Sequence, residues 1–163
     1  MPYKITNGYI GSQPITEVST TQKHALGTIV DIEDPVYGAG EAIYLKGAAS
    51  VALGEWVTYN IDDGSVTRLA ANAIGPVAVA FAATVASTFG WYHIQGRAVG
   101  KCLALFADDA NVYATATAGS IDDAVVAGDR VKRAKGASAI GTPSAGLAEF
   151  EIDRPFMDDA VAA

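Results

Sequence analysis

Short runs of β-branched and aromatic residues, separated by glycine and proline, dominate this sequence from Gly27 onward. The 163 residues include 17 glycines and six prolines. Turn residues at this density leave little room for long helices and are typical of short strands joined by turns. The sequence therefore predicts an all-β fold, a single small jelly-roll-like sandwich or β-barrel.

The clearest strand pattern lies in residues 55–61, where Val57, Tyr59 and Ile61 are expected to share one face. The turn Asp62-Asp63-Gly64 follows, and a second β-branched run comes after it. Glycine accepts the positive φ of a tight turn, so Asp-Gly between two such runs predicts a β-hairpin.

One segment, residues 75–82, is compatible with two structures. Gly75-Pro76 is a possible helix start, because proline is favoured at the first helical position. The alternation of Val77, Val79 and Phe81 with alanine instead favours a strand covered on both faces, which we prefer. The predicted strands are residues 28–32, 41–45, 55–61, 65–69, 75–82, 89–99, 101–106, 111–116, 129–134 and 148–152.

The first 26 residues are polar and show no period of 2 or 3.6, which predicts an extended N-terminal arm with little core of its own or, alternatively, a disordered tail. We expect the β domain to span residues 27–157 and a short flexible tail to span residues 158–163. Apolar side chains along the arm are candidate anchors for a partner surface. They are Tyr3, Ile5, Tyr9, Ile10 and Ile15.

A net charge of −7 and a pI near 4.6 describe an acidic protein. Phosphate backbones and anionic lipids repel such a surface, so we expect neither a nucleic acid nor a membrane partner. The start Met1–Ile5 has no basic region followed by an apolar stretch, so we expect no secretory signal and synthesis in a cytoplasm.

No catalytic set emerges from the sequence. His24 and His93 lack metal-ligand spacing, and His93 is read as a strand residue; Cys102, the single cysteine, is read as a small core residue. Paired aspartates suggest calcium, but aspartate in turns, bonded to its own backbone, is the ordinary explanation. We expect no enzyme activity, metal or cofactor. The pairs are Asp62-Asp63, Asp108-Asp109, Asp122-Asp123 and Asp158-Asp159.

Four positive charges within six residues form the one basic concentration, Arg130, Lys132, Arg133 and Lys135. One interpretation is a solvated edge strand, where lysines discourage aggregation. The other is a patch that meets an acidic partner surface.

Several stretches resemble a family of tailed-bacteriophage capsid cement or decoration proteins, and together they cover residues 25 to 157. The stretches are Leu26–Val30, Ala42–Ala48, Gly54–Tyr59, Val79-Ala80 followed by Phe89–Gly96, and Arg154–Phe156.

This resemblance implies a structural virion protein on the capsid exterior, bound at junctions between major capsid subunits and stabilising the shell. It also implies self-association as a homodimer or homotrimer. Trp56, Trp91 and Tyr92 would then be core residues or oligomer contacts. The alternative is a receptor- or glycan-binding fibre domain on a virion, in which the same three residues would form an exposed aromatic platform.

Overall fold

Eleven strands and no helix make up the part of the chain that the computed structural model describes, residues 3–6 and 14–158. The all-β prediction is confirmed. In these residues no helix is long and apolar enough to cross a membrane. The strands are β1 Lys4–Ile5, β2 Ile29–Asp34, β3 Gly38–Lys46, β4 Trp56–Tyr59, β5 Val66–Arg68, β6 Gly75–Ala80, β7 Phe89–Lys101, β8 Asn111–Ala114, β9 Ile121–Asp122, β10 Arg130–Gly136 and β11 Leu147–Met157.

The strands form one open antiparallel sheet in the order β1-β2-β3-β7-β6-β11-β10-β8-β9. The predicted hairpin is present: β4 pairs with β5 across Asp62-Asp63-Gly64, and β4 also pairs with β6. Segment 75–82 is a strand from Gly75 to Ala80, as preferred above.

The 13-residue strand β7 organises the sheet, because its first half pairs with β3 and its second half with β11. Gly96 lies where the two halves meet and has φ +110°. A Cβ there would lie 2.8 Å from the Ala39 carbonyl oxygen, so only glycine fits this conformation and this close approach.

Consecutive residues of the central strands point into different parts of the core. Trp56 of β4 packs in a first apolar cluster with β7, β8, β10 and β11, while Val57 packs in a second cluster with β3 and β5. Val77 and Ala78 of β6 divide in the same way. Both strands are therefore covered on both faces, which explains why they lack polar residues in their buried parts.

A third cluster lies on the other face of β3 and β7, and the N-terminal residues cover it. Tyr3 and Ile15 are buried in it, and Ile5 and Leu26 pack against it. The predicted free arm is corrected for residues 3–6 and 14–26: this part of the chain completes the core, and the packing has no boundary at residue 26. The rest of the arm, including Tyr9 and Ile10, lies outside the described residues.

The predicted strand 101–106 is also corrected. Lys101 ends β7, and Leu105 adopts a left-handed φ of 74° that turns the chain. This turn sends Phe106 into the core, where its ring contacts that of Phe150 at 5.2 Å. A buried aromatic residue at a turn has the same local sequence pattern as a buried strand residue, which is why Phe106 was assigned to a strand.

Candidate partner-binding surfaces

An open groove of about 620 Å³ lies between the tip of the β4–β5 hairpin and the start of β6. Its lining includes the hydroxyl side chains of a cross-strand pair, Thr58 and Thr67. It also includes two aliphatic side chains, Ile61 and Ile74, which are 79% and 63% exposed. Exposed aliphatic side chains that flank a concave surface mark protein contacts more often than isolated ones do.

Ile61 reaches this groove because β4 ends earlier than the sequence indicates. The strand stops at Tyr59, and Asn60 begins the turn by accepting the Asp62 backbone N–H at 2.9 Å. Ile61 therefore leaves the face it was expected to share with Val57 and points to solvent. Sequence reasoning missed this surface, since Ile61 has the spacing of a core residue.

The four basic residues lie on β10, which is an interior strand between β11 and β8, so the edge-strand interpretation is wrong. Their charges are largely matched within the chain. Lys132 pairs with Asp158, Arg133 pairs with Asp153, and the Lys135 ammonium lies 3.6 Å from Asp109. Arg130 donates a hydrogen bond of 3.1 Å to the Asn111 side chain. An acidic partner would have to compete with these contacts.

The aromatic residues considered for a ligand platform are core residues. Trp56 and Tyr92 are fully buried, and Trp91 is nearly so. Trp56 meets the Phe150 ring edge-on at 4.9 Å, while Trp91 packs against Tyr44 at 5.0 Å. These side chains are not accessible to a glycan or a receptor in this structure.

Glu55 is the centre of a buried ion-pair cluster that the sequence did not reveal. Arg68 donates to both Glu55 oxygens at 2.8 Å, and Lys101 donates to Oε1 at 3.1 Å. Burial raises the pKa of the Glu55 carboxyl, but the hydrogen bonds from Arg68, the backbone and Lys101 outweigh it and lower the pKa. The cluster joins β4, β5 and β7, so its role is to hold the hairpin that carries the groove.

His93 packs against aromatic rings of the third cluster, as a fully buried strand residue. Its ring centroid is 4.9 Å from those of Tyr3 and Phe81, and its Nε2 bonds the Gln95 carbonyl at 2.8 Å. Burial lowers the pKa of His93 to about 4, against a smaller opposing effect of the Gln95 carbonyl. These contacts are those of a packed core residue.

Three of the four aspartate pairs accept local hydrogen bonds, while Asp158 pairs with Lys132 and Asp159 lies outside the described residues. Asp63 accepts two hydrogen bonds from Ser65, and Asp108 and Asp122 each accept the backbone N–H of the following residue. Within residues 3–6 and 14–158, no three His, Cys, Asp or Glu side chains come together as a metal site would require.

Neither a protein-family model nor a curated protein sequence matches the chain.

Proposed function

We propose that this chain is a non-enzymatic structural protein that binds the outer surface of a bacteriophage capsid at junctions between major capsid subunits and stabilises the shell. The observation that carries the proposal is the groove flanked by Ile61 and Ile74. Ile61 in the β4–β5 turn and Ile74 just before β6 are exposed, and burial of these side chains by a partner would lower the free energy by about 25 cal/mol per Å². The partner's identity rests on the sequence resemblance to cement proteins.

The fold suits such a role in a second respect. The hairpin that presents Ile61 is fixed to the sheet by the Glu55–Arg68 ion pair and by pairing with β6. A rigid contact surface loses little conformational entropy on binding, so even a small groove contributes affinity. Repeated binding on a symmetric shell, or self-association as a dimer or trimer, would add avidity.

The test is co-sedimentation with empty shells assembled from the major capsid protein encoded in the same genome. We expect saturable binding of the wild-type chain. The double variant Ile61→Ser/Ile74→Ser removes both exposed aliphatic side chains and should weaken binding by about 30-fold, corresponding to roughly 2 kcal/mol. Val36→Ser is the matched control, since Val36 is 74% exposed on the β2–β3 turn, away from the groove.

Absence of wild-type binding to these shells, or absence of a major capsid gene from the genome, would refute the capsid proposal. Equal weakening by Val36→Ser would refute the groove as the contact. Because exposed substitutions change the free energy of unfolding by about 0.5 kcal/mol or less, urea unfolding of each variant confirms that the fold is retained.

A further inference from the structure

The Tyr3 side chain closes the third cluster over His93. It is buried, and its hydroxyl donates a hydrogen bond of 2.7 Å to the Arg97 carbonyl. The rings of Tyr3 and His93 meet edge to face at an interplanar angle of 71°. Tyr3 therefore shields part of the imidazole from water, beside Phe81, which stacks on the same ring and lies 5.7 Å from the Tyr3 ring.

The His93 ring is fixed in its neutral form. Because a carbonyl only accepts, Nε2 carries the proton that bonds Gln95, and Nδ1 is left unprotonated. Nδ1 is buried and has no hydrogen-bond partner in the structure. A proton added at Nδ1 would create a buried charge with no acceptor, which is the costly case for a polar group in the core.

The charged groups around Tyr3 and Tyr37 make their contacts with groups other than His93. They are Asp34 on β2, Arg97 on β7 and Glu149 on β11. Asp34 Oδ1 accepts the Val36 and Tyr37 backbone N–H groups, Asp34 Oδ2 is buried without a hydrogen-bond partner, and Glu149 pairs with Arg97. Among the described residues, no carboxylate makes a hydrogen bond or ion pair with His93.

The elements around His93 differ in how firmly they are held. His93 itself lies in β7, paired with Ala42 of β3 on one side and Val79 of β6 on the other. β1 is paired with β2 at two positions only and lies at the end of the sheet. Elements with few hydrogen bonds at an edge open at the lowest free energy, so β1 is the part that would yield.

We propose that His93 is an acid-sensitive latch for the N-terminal strand: its protonation expels Tyr3 and releases residues 3–6 from β2 while the rest of the sheet stays folded. This latch is independent of the capsid proposal. The lowered pKa of about 4, against 6.5 for a free histidine, is consistent with it. The equilibrium constant for opening to a state in which the His93 ring is hydrated should therefore increase roughly 70-fold when the pH falls from 7.5 to 4.5.

The experiment is amide hydrogen exchange followed by NMR at several pH values, expressed as protection relative to the unstructured rate. The Thr6 N–H, bonded to the Asp31 carbonyl at 2.9 Å, reports on release of the strand. The Trp56 N–H, bonded to the Gly119 carbonyl at 3.0 Å in the remote first cluster, reports on global unfolding. We expect Thr6 protection to fall about 70-fold from pH 7.5 to pH 4.5, with Trp56 protection unchanged.

Two histidine variants assign the effect. His93→Phe keeps a planar ring without a titrating group, and His93→Gln keeps a side-chain N–H; in either, Thr6 protection should no longer depend on pH. His24→Asn is the matched control, because His24 also contacts aromatic rings of the third cluster, those of Tyr44 and Trp91. It should retain the wild-type response.

Three results would overturn the latch: pH-independent Thr6 protection in the wild-type chain, simultaneous loss of Thr6 and Trp56 protection, or loss of the response in His24→Asn. The wild-type measurement decides the question alone if neither His93 variant folds.

Discussion

Arg68 donates two parallel hydrogen bonds, each 2.8 Å long, to the two carboxylate oxygens of Glu55. Glu55 is almost completely buried, whereas Arg68 and Lys101 reach solvent at one end. The pair joins two strands of one hairpin, and Lys101 extends it to β7. The Arg68 guanidinium also donates a hydrogen bond of 2.9 Å to the Ala118 carbonyl, which fixes the loop before β9.

We expect Glu55→Gln to lower the free energy of unfolding by about 2 kcal/mol, because it leaves two cations facing a neutral buried group. The partial exposure of Arg68 keeps the effect below that of a fully buried pair. Urea unfolding at pH 7 measures it. Glu33→Gln is the control: Glu33 and Lys4 form an exposed pair at 2.7 Å, and its loss should cost less than about 1 kcal/mol.

The contribution of Glu55 to the free energy of unfolding should decrease in acid. The pKa of Glu55 is lowered in the folded chain, so its stabilisation is fully present above the ordinary carboxyl pKa of 4.5. It is lost as the pH falls through the lower folded-state value. The difference in unfolding free energy between wild type and Glu55→Gln should therefore be constant from pH 6 to 8 and shrink below about pH 4.5. A difference that grows in acid would contradict this assignment.

Gly100 lies directly against the Trp56 indole. A Cβ at position 100 would be 2.6 Å from Trp56 Nε1, and the indole has no free space to move into because it is fully buried. Gly100→Ala should cost about 1–3 kcal/mol through overpacking. Gly90→Ala, in the same strand, is the matched control: its nearest contact would be 3.6 Å, an ordinary distance, so the unfolding midpoint should change little.

The local sequence pattern was sufficient to predict most of the strands. The hairpin across Asp62-Asp63-Gly64 and the strand at 75–80 follow from alternation and turn chemistry within about ten residues. The burial of the N-terminal residues and the Glu55 ion-pair cluster were not predicted, because both depend on contacts between residues that are far apart in the sequence. Tyr3 bonds a carbonyl 94 positions away, and Glu55 meets Lys101 at a separation of 46.

The candidate binding surface could not be predicted from the local sequence pattern either. Ile61 has the period of Val57 and Tyr59, yet it is exposed, because the strand ends where the Asn60 side chain starts the turn. The basic residues were correctly recognised as a cluster, but the carboxylates that pair with three of them come from β11, from the residue after it and from one turn. Charge matching of this kind depends on strand order, which local sequence does not contain.

Cys102 should be nearly inert in the native chain. It is buried, and burial, together with Asp122 and Asp123, raises its pKa to about 11, so little thiolate forms at pH 8. We expect a disulfide reagent to label it at least about 100-fold more slowly than in 6 M guanidinium. Absorbance of the released thiol measures both rates. Comparable rates in the two conditions would show that the end of β7 opens readily.

The N-terminal residues should contribute strongly to the stability of the domain. Tyr3 and Ile15 fill the third cluster, and the Ser19 and Phe89 backbones bond each other at 2.8 and 3.0 Å. Tyr3→Ala should therefore cost about 3–5 kcal/mol, the range for loss of a large buried aromatic side chain. Tyr3→Phe removes only the hydroxyl that bonds Arg97, so it should cost about 1 kcal/mol.

Deletion of residues 1–23 extends this test to the whole segment. It removes Tyr3 and Ile15 from the third cluster, which also contains Tyr44 and Trp91, and it removes the Lys23 N–H that bonds the Tyr44 hydroxyl. We expect the melting temperature to fall by more than the roughly 2–4 °C that about 1 kcal/mol produces in a domain of this size, with a red shift of the Trp91 fluorescence. Calorimetry and emission spectra measure the two effects. An unchanged melting temperature together with an unshifted spectrum would show instead that the segment is a dispensable arm, and that Tyr3 and Ile15 add little to the core they occupy.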